Sequence, residues 1–303
     1  MQITEVATNL RFPEGPIALP DGSVILVEML GGTLVRVWGS GRVETIAELG
    51  GGPNGAAIGP DGACYVCNNG GSAPSRDCTL CIPPEPLKGS PGRIERVDLS
   101  TGKVERLYDA AGDIPLRAPN DLVFDRGGGF WFTDFGKGEG RKGDRGVVYY
   151  GRPDGSHIRE AIYPLTTPNG IGLSPDETVI YVAETVTGRV MAYDVASPGI
   201  VVPPNWLIAG RYVATAPGFT YLDSLAIDSA GNVNVACLFN GGIETISPDG
   251  KVQSHLSLDD RLTTNICFGG VDLKTAYVTL SETGRLVSMR WPLAGLPLNF
   301  LNT

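Results

Sequence analysis

Residues 12–22 read Phe-Pro-Glu-Gly-Pro-Ile-Ala-Leu-Pro-Asp-Gly: a turn-like tripeptide, a short apolar strand and a tight turn. A tripeptide followed by an apolar strand recurs five more times along the chain, and its third residue is always an acid or an amide. These third residues are Glu14, Asn54, Asn120, Asn169, Asp223 and Asn265. Their spacings of about 40, 66, 49, 54 and 42 residues lie within or near the range of propeller blades.

Short strands and turns alternate throughout the chain. In the first repeat we expect strands at residues Gly15–Leu19, Ser23–Glu28, Thr33–Trp38 and Val43–Glu48, separated by Gly-containing turns. Four short antiparallel strands in about 40 residues are the unit of a β-propeller. Six such repeats use the whole chain, so we predict an all-β, six-bladed β-propeller in a single domain over residues 1–303.

The two ends and the longest spacing need separate explanations. Residues 2–11 precede the first repeat, and we expect this N-terminal strand to pair with the last blade, after Leu286–Trp291, and to close the ring. The tail after Trp291 is expected on the surface. The 66-residue spacing predicts an insertion loop at about residues 68–92 of blade two, and loops this long are often functional or mobile.

The bulk composition argues against several classes of protein. The 303 residues carry a net charge of −9, which disfavours binding to nucleic acid. No apolar run approaches the roughly 18 residues of a membrane span, and residues 1–6 lack the features of a signal peptide. No Ser-His-Asp set or Gly-x-Ser-x-Gly motif indicates a serine hydrolase. We therefore expect a cytoplasmic protein with a small-molecule substrate and no nucleic-acid or membrane partner, of unknown oligomeric state.

The six recurring acids and amides are expected to meet at one end of the propeller channel, and we call them the ring residues. The innermost strand of each blade lines that channel, so the first residues of all six strands converge on its axis. Carboxylates and amide carbonyls are the ligands that hard divalent cations prefer, which predicts a central metal site. Pro-Asn-Gly is also a common turn, so Asn54 and Asn265 could equally hydrogen-bond backbone or water.

Three features resemble the SMP-30/gluconolactonase/regucalcin family: Phe-Pro-Glu-Gly-Pro at 12–16, the Pro-Asn-Asp and Pro-Asn-Gly repeats, and Tyr-Leu-Asp-Ser at 221–224. The resemblance covers essentially the whole chain. It implies a six-bladed propeller with one catalytic divalent cation in the channel, bound by Glu14, Asn169 and Asp223. It also implies that Asn120 lies at the metal or contacts the substrate.

The predicted substrate-binding residues are Asn120, Arg117 and Asn54. In lactonases that this chain resembles, an Arg just before the third-blade Asn binds sugar hydroxyls. Arg117 stands one residue further from Asn120 than in the usual arrangement, so a surface position is the alternative.

The activity that the resemblance implies is hydrolysis of a lactone, such as a sugar-acid lactone, to its hydroxy acid. The cation (Ca, Zn, Mg or Mn) would polarise the carbonyl and activate water, with catalysis assigned to Asp223 and Asn120. Asp223 is the candidate general base, and hydroxide on the metal is the rival account. Diisopropylfluorophosphatases also use Glu, Asn, Asn and Asp around calcium. A calcium-dependent phosphotriesterase-like hydrolase is therefore an alternative, as is a non-catalytic, metal-stabilised binding propeller.

Four cysteines form a second candidate metal site. Cys64, Cys67, Cys78 and Cys81 have a C-x2-C-x10-C-x2-C spacing close to that of structural zinc sites. The first two lie on a predicted strand, where their odd separation directs them to opposite faces. A disulfide such as Cys78–Cys81, or free thiols, are the alternatives to zinc.

Overall fold

The computed structural model describes residues 1–71, 90–139, 141–203 and 210–302. Every regular element within these ranges is a β-strand. Within these ranges, no helix is long and apolar enough to cross a bilayer. The strands form six main antiparallel sheets, which are the blades of a propeller. The prediction of an all-β, six-bladed β-propeller is confirmed.

The strands follow one another blade by blade. The first strand, β1 (Ile3–Ala7), belongs to blade six. Blade one consists of β2 (Pro13–Ala18), β3 (Val24–Glu28), β4 (Thr33–Val37) and β5 (Val43–Glu48). Blade two consists of β6 (Pro53–Ile58), β7 (Cys64–Asn68), β8 (Arg93–Val97) and β9 (Val104–Tyr108). The predicted insertion falls between β7 and β8, and its residues 72–89 lie outside the described ranges.

Blade three follows a short hairpin of β10 (Ala110–Ala111) and β11 (Ile114–Pro115). It begins with β12 (Pro119–Phe124) and β13 (Phe130–Asp134). After a second hairpin of β14 (Gly138–Glu139) and β15 (Lys142–Gly143), it continues with β16 (Gly146–Gly151) and β17 (Ile158–Leu165).

The last three blades complete the circle. Blade four consists of β18 (Pro168–Leu173), β19 (Val179–Glu184), β20 (Arg189–Ser197), β21 (Ile200–Val201) and β22 (Arg211–Thr215). Blade five consists of β23 (Tyr221–Ile227), β24 (Val233–Leu238), β25 (Ile243–Ile246) and β26 (Gln253–Leu256). Blade six consists of β27 (Thr263–Gly269), β28 (Thr275–Leu280), β29 (Arg285–Arg290) and, from the other end of the chain, β1.

Two sets of contacts close the ring of blades. The six innermost strands, β2, β6, β12, β18, β23 and β27, contact one another in that order, and β27 contacts β2. At the outer edge of blade six, β1 pairs antiparallel with β29, with Ile3 opposite Met289. The predicted N-terminal closure is therefore confirmed, and it places the first and last strands of the chain in one sheet.

Apolar side chains between neighbouring blades form the core. Each inner strand has a blade on either side, so a strand such as β3 is apolar and buried on both faces rather than alternating. Between blades two and three, Phe130 is fully buried among the rings of Tyr65, Phe124 and Phe132 at centroid distances of 5.3 to 5.9 Å. The outer strand β5 is mostly exposed and correspondingly polar.

An irregularity in each innermost strand lies at its ring residue. The register against the neighbouring strand shifts between Glu14 and Ile17 in β2, and equivalent shifts occur near the start of β6, β12, β18, β23 and β27. A β-bulge changes the direction of a side chain and often lies beside a functional site. The repeated bulge is thus the local device that directs each ring side chain.

In five of the six blades, a side chain of the same blade holds the loop before the innermost strand. In blade three, both carboxylate oxygens of Asp134 accept hydrogen bonds, at 2.7 Å, from the backbone N–H groups of Arg117 and Ala118. Four other side chains accept the equivalent backbone bond at 2.8 to 3.0 Å. We call the five the loop anchors: Glu28, Asn68, Asp134, Glu184 and Glu282. In blade five the residue equivalent to Glu28 is Cys237, which is opposite Leu222, the residue before Asp223.

The C-terminal tail crosses the channel at the mouth opposite the ring. The backbone N–H of Leu296 donates to the carbonyl of Ile227 at 2.9 Å. The Asn299 amide donates to the carbonyl of Phe124 at 3.1 Å and to a Glu177 oxygen at 2.7 Å. The expectation of a surface tail is therefore only half right, because residues 295–301 form a strap across three blades.

Candidate active site

The six ring residues lie at the same level of the channel and are all buried, with 2% to 7% of each residue exposed. Close approach of the innermost strands brings them together. A Cβ atom added at Gly15, which has a φ of +53°, would lie 2.6 Å from the carbonyl oxygen of Asn54. One added at Gly55 would lie 2.6 Å from the carbonyl oxygen of Asn120. Glycine after Glu14 and after Asn54 is therefore a steric requirement of the close approach between these strands.

Below the ring, the channel contains a cavity of about 320 Å³ with mostly apolar walls. The walls are formed by the next residues of the innermost strands, among them Ile17, Ile58, Leu122, Ile171, Leu225 and Ile266. Polar chemistry in the channel is thus concentrated at the level of the ring.

Several ring side chains are hydrogen-bonded to one another or to the next residue. The Asn265 amide donates to a Glu14 carboxylate oxygen at 3.1 Å, and the backbone N–H of Gly15 donates to the same oxygen at 3.2 Å. Across the ring, the amide of Asn169 donates to Thr185 at 3.2 Å. The contacts from Asn265 and Gly15 fix the orientation of the Glu14 carboxylate.

Two ring amides present an acceptor that lacks a partner. Among the described residues, no donor reaches the side-chain oxygens of Asn54 and Asn120, although both atoms are buried. Leaving a buried acceptor without a hydrogen bond costs about 1–3 kcal/mol. The nitrogen of the Asn54 side chain has only the Met29 sulfur, at 3.9 Å, a weak acceptor. Such orphaned oxygens are suited to a cation or to a hydrogen-bond donor on a ligand.

The ring level holds three buried carboxyl groups, of which Asp121 was not identified from the sequence. Burial raises the pKa of Glu14 well above its usual value, and nearby Asp223 and Asp121 raise it further. Burial, with a smaller effect from Asp121, raises the pKa of Asp223 to about 8. Burial likewise raises the pKa of Asp121 to about 7. The signal for Asp121 was visible, because Asn120 is the only ring residue followed by an acid.

The donor set fits a hard divalent cation. Carboxylate and amide oxygens predominate, and no cationic side chain is among the groups that shift the pKa values of Glu14, Asp121 or Asp223. No group of three or more His, Cys, Asp or Glu residues in the described part of the chain is arranged to bind one metal ion. Any cation at the ring would therefore be bound by carboxylates together with amide oxygens.

Comparison with known proteins identifies the family. Residues 12–282 match the family described as the SMP-30/Gluconolactonase/LRE-like region. The chain belongs to this family. Two sequence relatives are the gluconolactonase of Zymomonas mobilis subsp. mobilis (27% identical over 293 residues, 88% of this chain and 76% of that protein) and lactonase drp35 of Staphylococcus saprophyticus subsp. saprophyticus (30% over 244 residues, 79% and 68%).

The fold of this SMP-30/gluconolactonase-like protein is shared with a solved structure. The calcium-binding protein regucalcin from Agrobacterium tumefaciens matches with a TM-score of 0.75 at 18% identity, covering 97% of this chain and 95% of that one. At this identity the likeness concerns the fold. The resemblance to the family that the tripeptides indicated is confirmed.

Arg117, predicted to bind substrate, lies in the loop before β12 at the ring end of the channel. Its guanidinium is half-exposed and pairs with Asp144, at 2.7 Å between Nε and a carboxylate oxygen. Its backbone N–H is held by the loop anchor Asp134. The structure thus places Arg117 near the mouth but in an ion pair with Asp144, and its role stays a prediction.

The four-cysteine zinc site is not supported by the half of the motif that the structure describes. Cys64 packs in the apolar cluster between blades one and two, whereas Cys67 packs in the cluster between blades two and three. The two thiols are therefore on opposite faces of β7, as their odd separation predicted. Burial raises the pKa of the Cys64 thiol to about 12, which disfavours the thiolate that binds zinc. Cys78 and Cys81 lie outside the described residues.

Proposed function

We propose that this protein hydrolyses a lactone to the corresponding hydroxy acid, with one divalent cation bound at the ring. The observation that carries the proposal is the pair of orphaned oxygens on Asn54 and Asn120 beside two buried carboxyl groups, Glu14 and Asp223. The names of the sequence relatives, a gluconolactonase and a lactonase, support the reaction. The calcium-binding description of regucalcin supports the cation.

Each ring residue has a distinct part in the proposal. Glu14, Asn169 and Asp223 would hold the cation, which would supply the Lewis acid that polarises the lactone carbonyl. Asn54 and Asn120 would accept hydrogen bonds from substrate or water with their free oxygens. The apolar walls below the ring would exclude bulk water and strengthen these polar contacts.

Hydrolysis then needs two proton transfers, one from the attacking water to the protein and one from the protein to the leaving alkoxide. Asp223 would take a proton from the water that adds to the carbonyl carbon. The ring C–O bond would break in the second step, and the alkoxide that leaves would take up the proton. The products are a carboxylate and a hydroxyl group on one molecule. A bound cation lowers the pKa of a neighbouring carboxyl group, so Asp223 would be ionised and able to act as the base.

The proposal is tested by acid release from a panel of lactones and one fluorophosphate, using chelator-treated protein with Ca²⁺, Mg²⁺, Mn²⁺ or Zn²⁺ added back. We expect cation-dependent lactone turnover that falls at least about 100-fold in Asp223→Asn and in Asn120→Ala. Asp249→Asn makes the same carboxylate-to-amide change in an exposed turn of blade five and should retain activity. Turnover of the fluorophosphate alone would replace the lactonase with a phosphotriesterase-like hydrolase. Tight cation binding without turnover would favour a non-catalytic propeller.

A further inference from the structure

Three aromatic side chains of blade five form a cluster at the ring end of the channel. The ring centroids of Phe219 and Tyr221 are 5.3 Å apart, those of Phe219 and Phe239 are 5.5 Å apart, and those of Tyr221 and Phe239 are 5.2 Å apart. We call Phe219, Tyr221 and Phe239 the aromatic shelf. Its members are in mutual contact, so they present one continuous apolar surface.

The aromatic shelf lies beside the ring carboxylate Asp223. Tyr221 is the first residue of β23 and precedes Asp223 by two positions. Phe239 directly follows β24, whose last residue, Leu238, is paired with Tyr221. The start of β23 and the end of β24 are both at the mouth where the ring lies, and so is the aromatic shelf.

The exposure and backbone of the aromatic shelf set it apart from core aromatics. Phe219 is 72% exposed. Phe239 has a φ of +68°, a left-handed conformation that bulky residues rarely adopt, and its N–H donates to the carbonyl of Arg261 at 2.6 Å. Strain of this kind concentrates at functional sites. An exposed aromatic surface beside a polar site is a typical place for an apolar part of a ligand.

Three arginines at this mouth are held in ion pairs with neighbouring carboxylates. Arg117 pairs with Asp144, Arg189 pairs with Glu184, and Arg261 pairs with Glu282. These arginines are therefore less available for the hydroxyl groups of a sugar lactone, whereas Phe219 is open to solvent.

We infer that the aromatic shelf binds an apolar substituent of the substrate, so that the preferred substrates are lactones with an aryl or alkyl group rather than polyhydroxylated lactones. This inference rests on the proposed lactone hydrolysis and specifies its substrate class. The lactone carbonyl lies at the ring, and the substituent lies against Phe219.

The test compares three six-membered lactones: δ-valerolactone, δ-phenyl-δ-valerolactone and glucono-δ-lactone. We expect the phenyl-substituted lactone to have the highest kcat/KM. Phe219→Ala removes one side of the apolar contact and should lower the kcat/KM of the phenyl-substituted lactone about 10-fold. The kcat/KM of δ-valerolactone should change by less than about 2-fold. Phe219→Leu should restore most of the loss. Tyr212→Ala removes an aromatic side chain that is 56% exposed on the outer strand β22, and should change neither value.

A binding measurement separates this inference from the proposed function. The phenyl-substituted lactam of the same ring size resists hydrolysis, and calorimetry measures its affinity for the parent protein and for Phe219→Ala. Weaker lactam binding in Phe219→Ala, with no lactone hydrolysed by the parent, would overturn the proposed reaction and retain the aromatic shelf as a binding site. Lactone hydrolysis with an unchanged preference in Phe219→Ala, or highest activity on glucono-δ-lactone, would overturn the inference. A thermal unfolding midpoint equal to that of the parent protein shows that the fold of a variant is intact.

Discussion

Asp121 should make the cation-free protein less stable as the pH rises. Burial raises its pKa to about 7 in the folded protein, from an ordinary value of 3.8. Between these values the folded state keeps a proton that the unfolded chain has lost, so the free energy of unfolding falls with increasing pH. At about 1.4 kcal/mol per pH unit, and with the group half ionised in the folded protein at pH 7, Asp121 alone accounts for a fall of about 2 kcal/mol between pH 5 and pH 7.

The substitution Asp121→Asn removes this proton and leaves a neutral side chain of the same shape. Urea denaturation in the presence of a chelator, at pH 5, 6, 7 and 8, measures the free energy of unfolding of parent and variant. Glu14 and Asp223 contribute to the pH dependence of both proteins. Asp121 raises the pKa values of both groups, so the difference between the two slopes reports Asp121 together with its effect on them. We expect the parent to lose at least about 2 kcal/mol more than Asp121→Asn from pH 5 to pH 7.

Asp98→Asn is the matched control. Hydrogen bonds from Ser100 and Thr101 lower the pKa of the exposed Asp98 to about 2, so this group titrates below the measured range. Its substitution should leave the slope between pH 5 and pH 8 unchanged. Equal slopes in the parent and Asp121→Asn would refute the reasoning, since they would mean that Asp121 is ionised in the folded protein at pH 5.

Three further predictions concern the cation, the core and the strap. At pH 8, a divalent cation at 100 times its Kd should raise the free energy of unfolding by about 2.7 kcal/mol. The increase should be smaller at pH 5, because protons compete with the cation for Glu14 and Asp223. Equal thermal stabilisation at both pH values would contradict binding at the ring. Phe130→Ala should lower the free energy of unfolding, measured by urea denaturation, by about 3–5 kcal/mol, because the phenyl group is fully buried among aromatic neighbours. A loss below about 1 kcal/mol would show that the cluster between blades two and three is loosely packed. Deletion of residues 295–303 removes the hydrogen bonds of Leu296 and Asn299. It should lower the free energy of unfolding by about 3 kcal/mol, at roughly 1 kcal/mol per bond. An unchanged urea midpoint would show that the strap does not stabilise the blades.

The repeated parts of this structure could be predicted from the sequence. Strands expected at 15–19, 23–28, 33–38 and 43–48 are observed at 13–18, 24–28, 33–37 and 43–48. Turn residues fix where a strand ends, and Gly and Pro mark those turns unambiguously. The burial of all six ring residues at one level follows from the same repeat.

Features that depend on contacts between distant segments were not predictable. Asp121 is visible as an acid, but whether its carboxyl group is buried depends on the bulge in β12. The strap has no hydrophobic periodicity, and its position is determined by partners such as Phe124, which lies 175 residues earlier in the chain. Phe219 precedes β23 in a segment with turn composition, and only its contacts with Phe239 identify a surface.

In five of the six blades, the loop anchor positions the ring residue of its own blade. Asp134 holds the loop that carries Asn120, and Glu184 holds the loop that carries Asn169. Bonds between blades are also present, since Thr133 of blade three donates to the carbonyl of Asn169 at 2.6 Å. The anchors bond the backbone of the loop, so a ring side chain can be exchanged in evolution while the anchored loops keep their places. A propeller built in this way can acquire a new reaction through single substitutions, and each sequence on the way still folds.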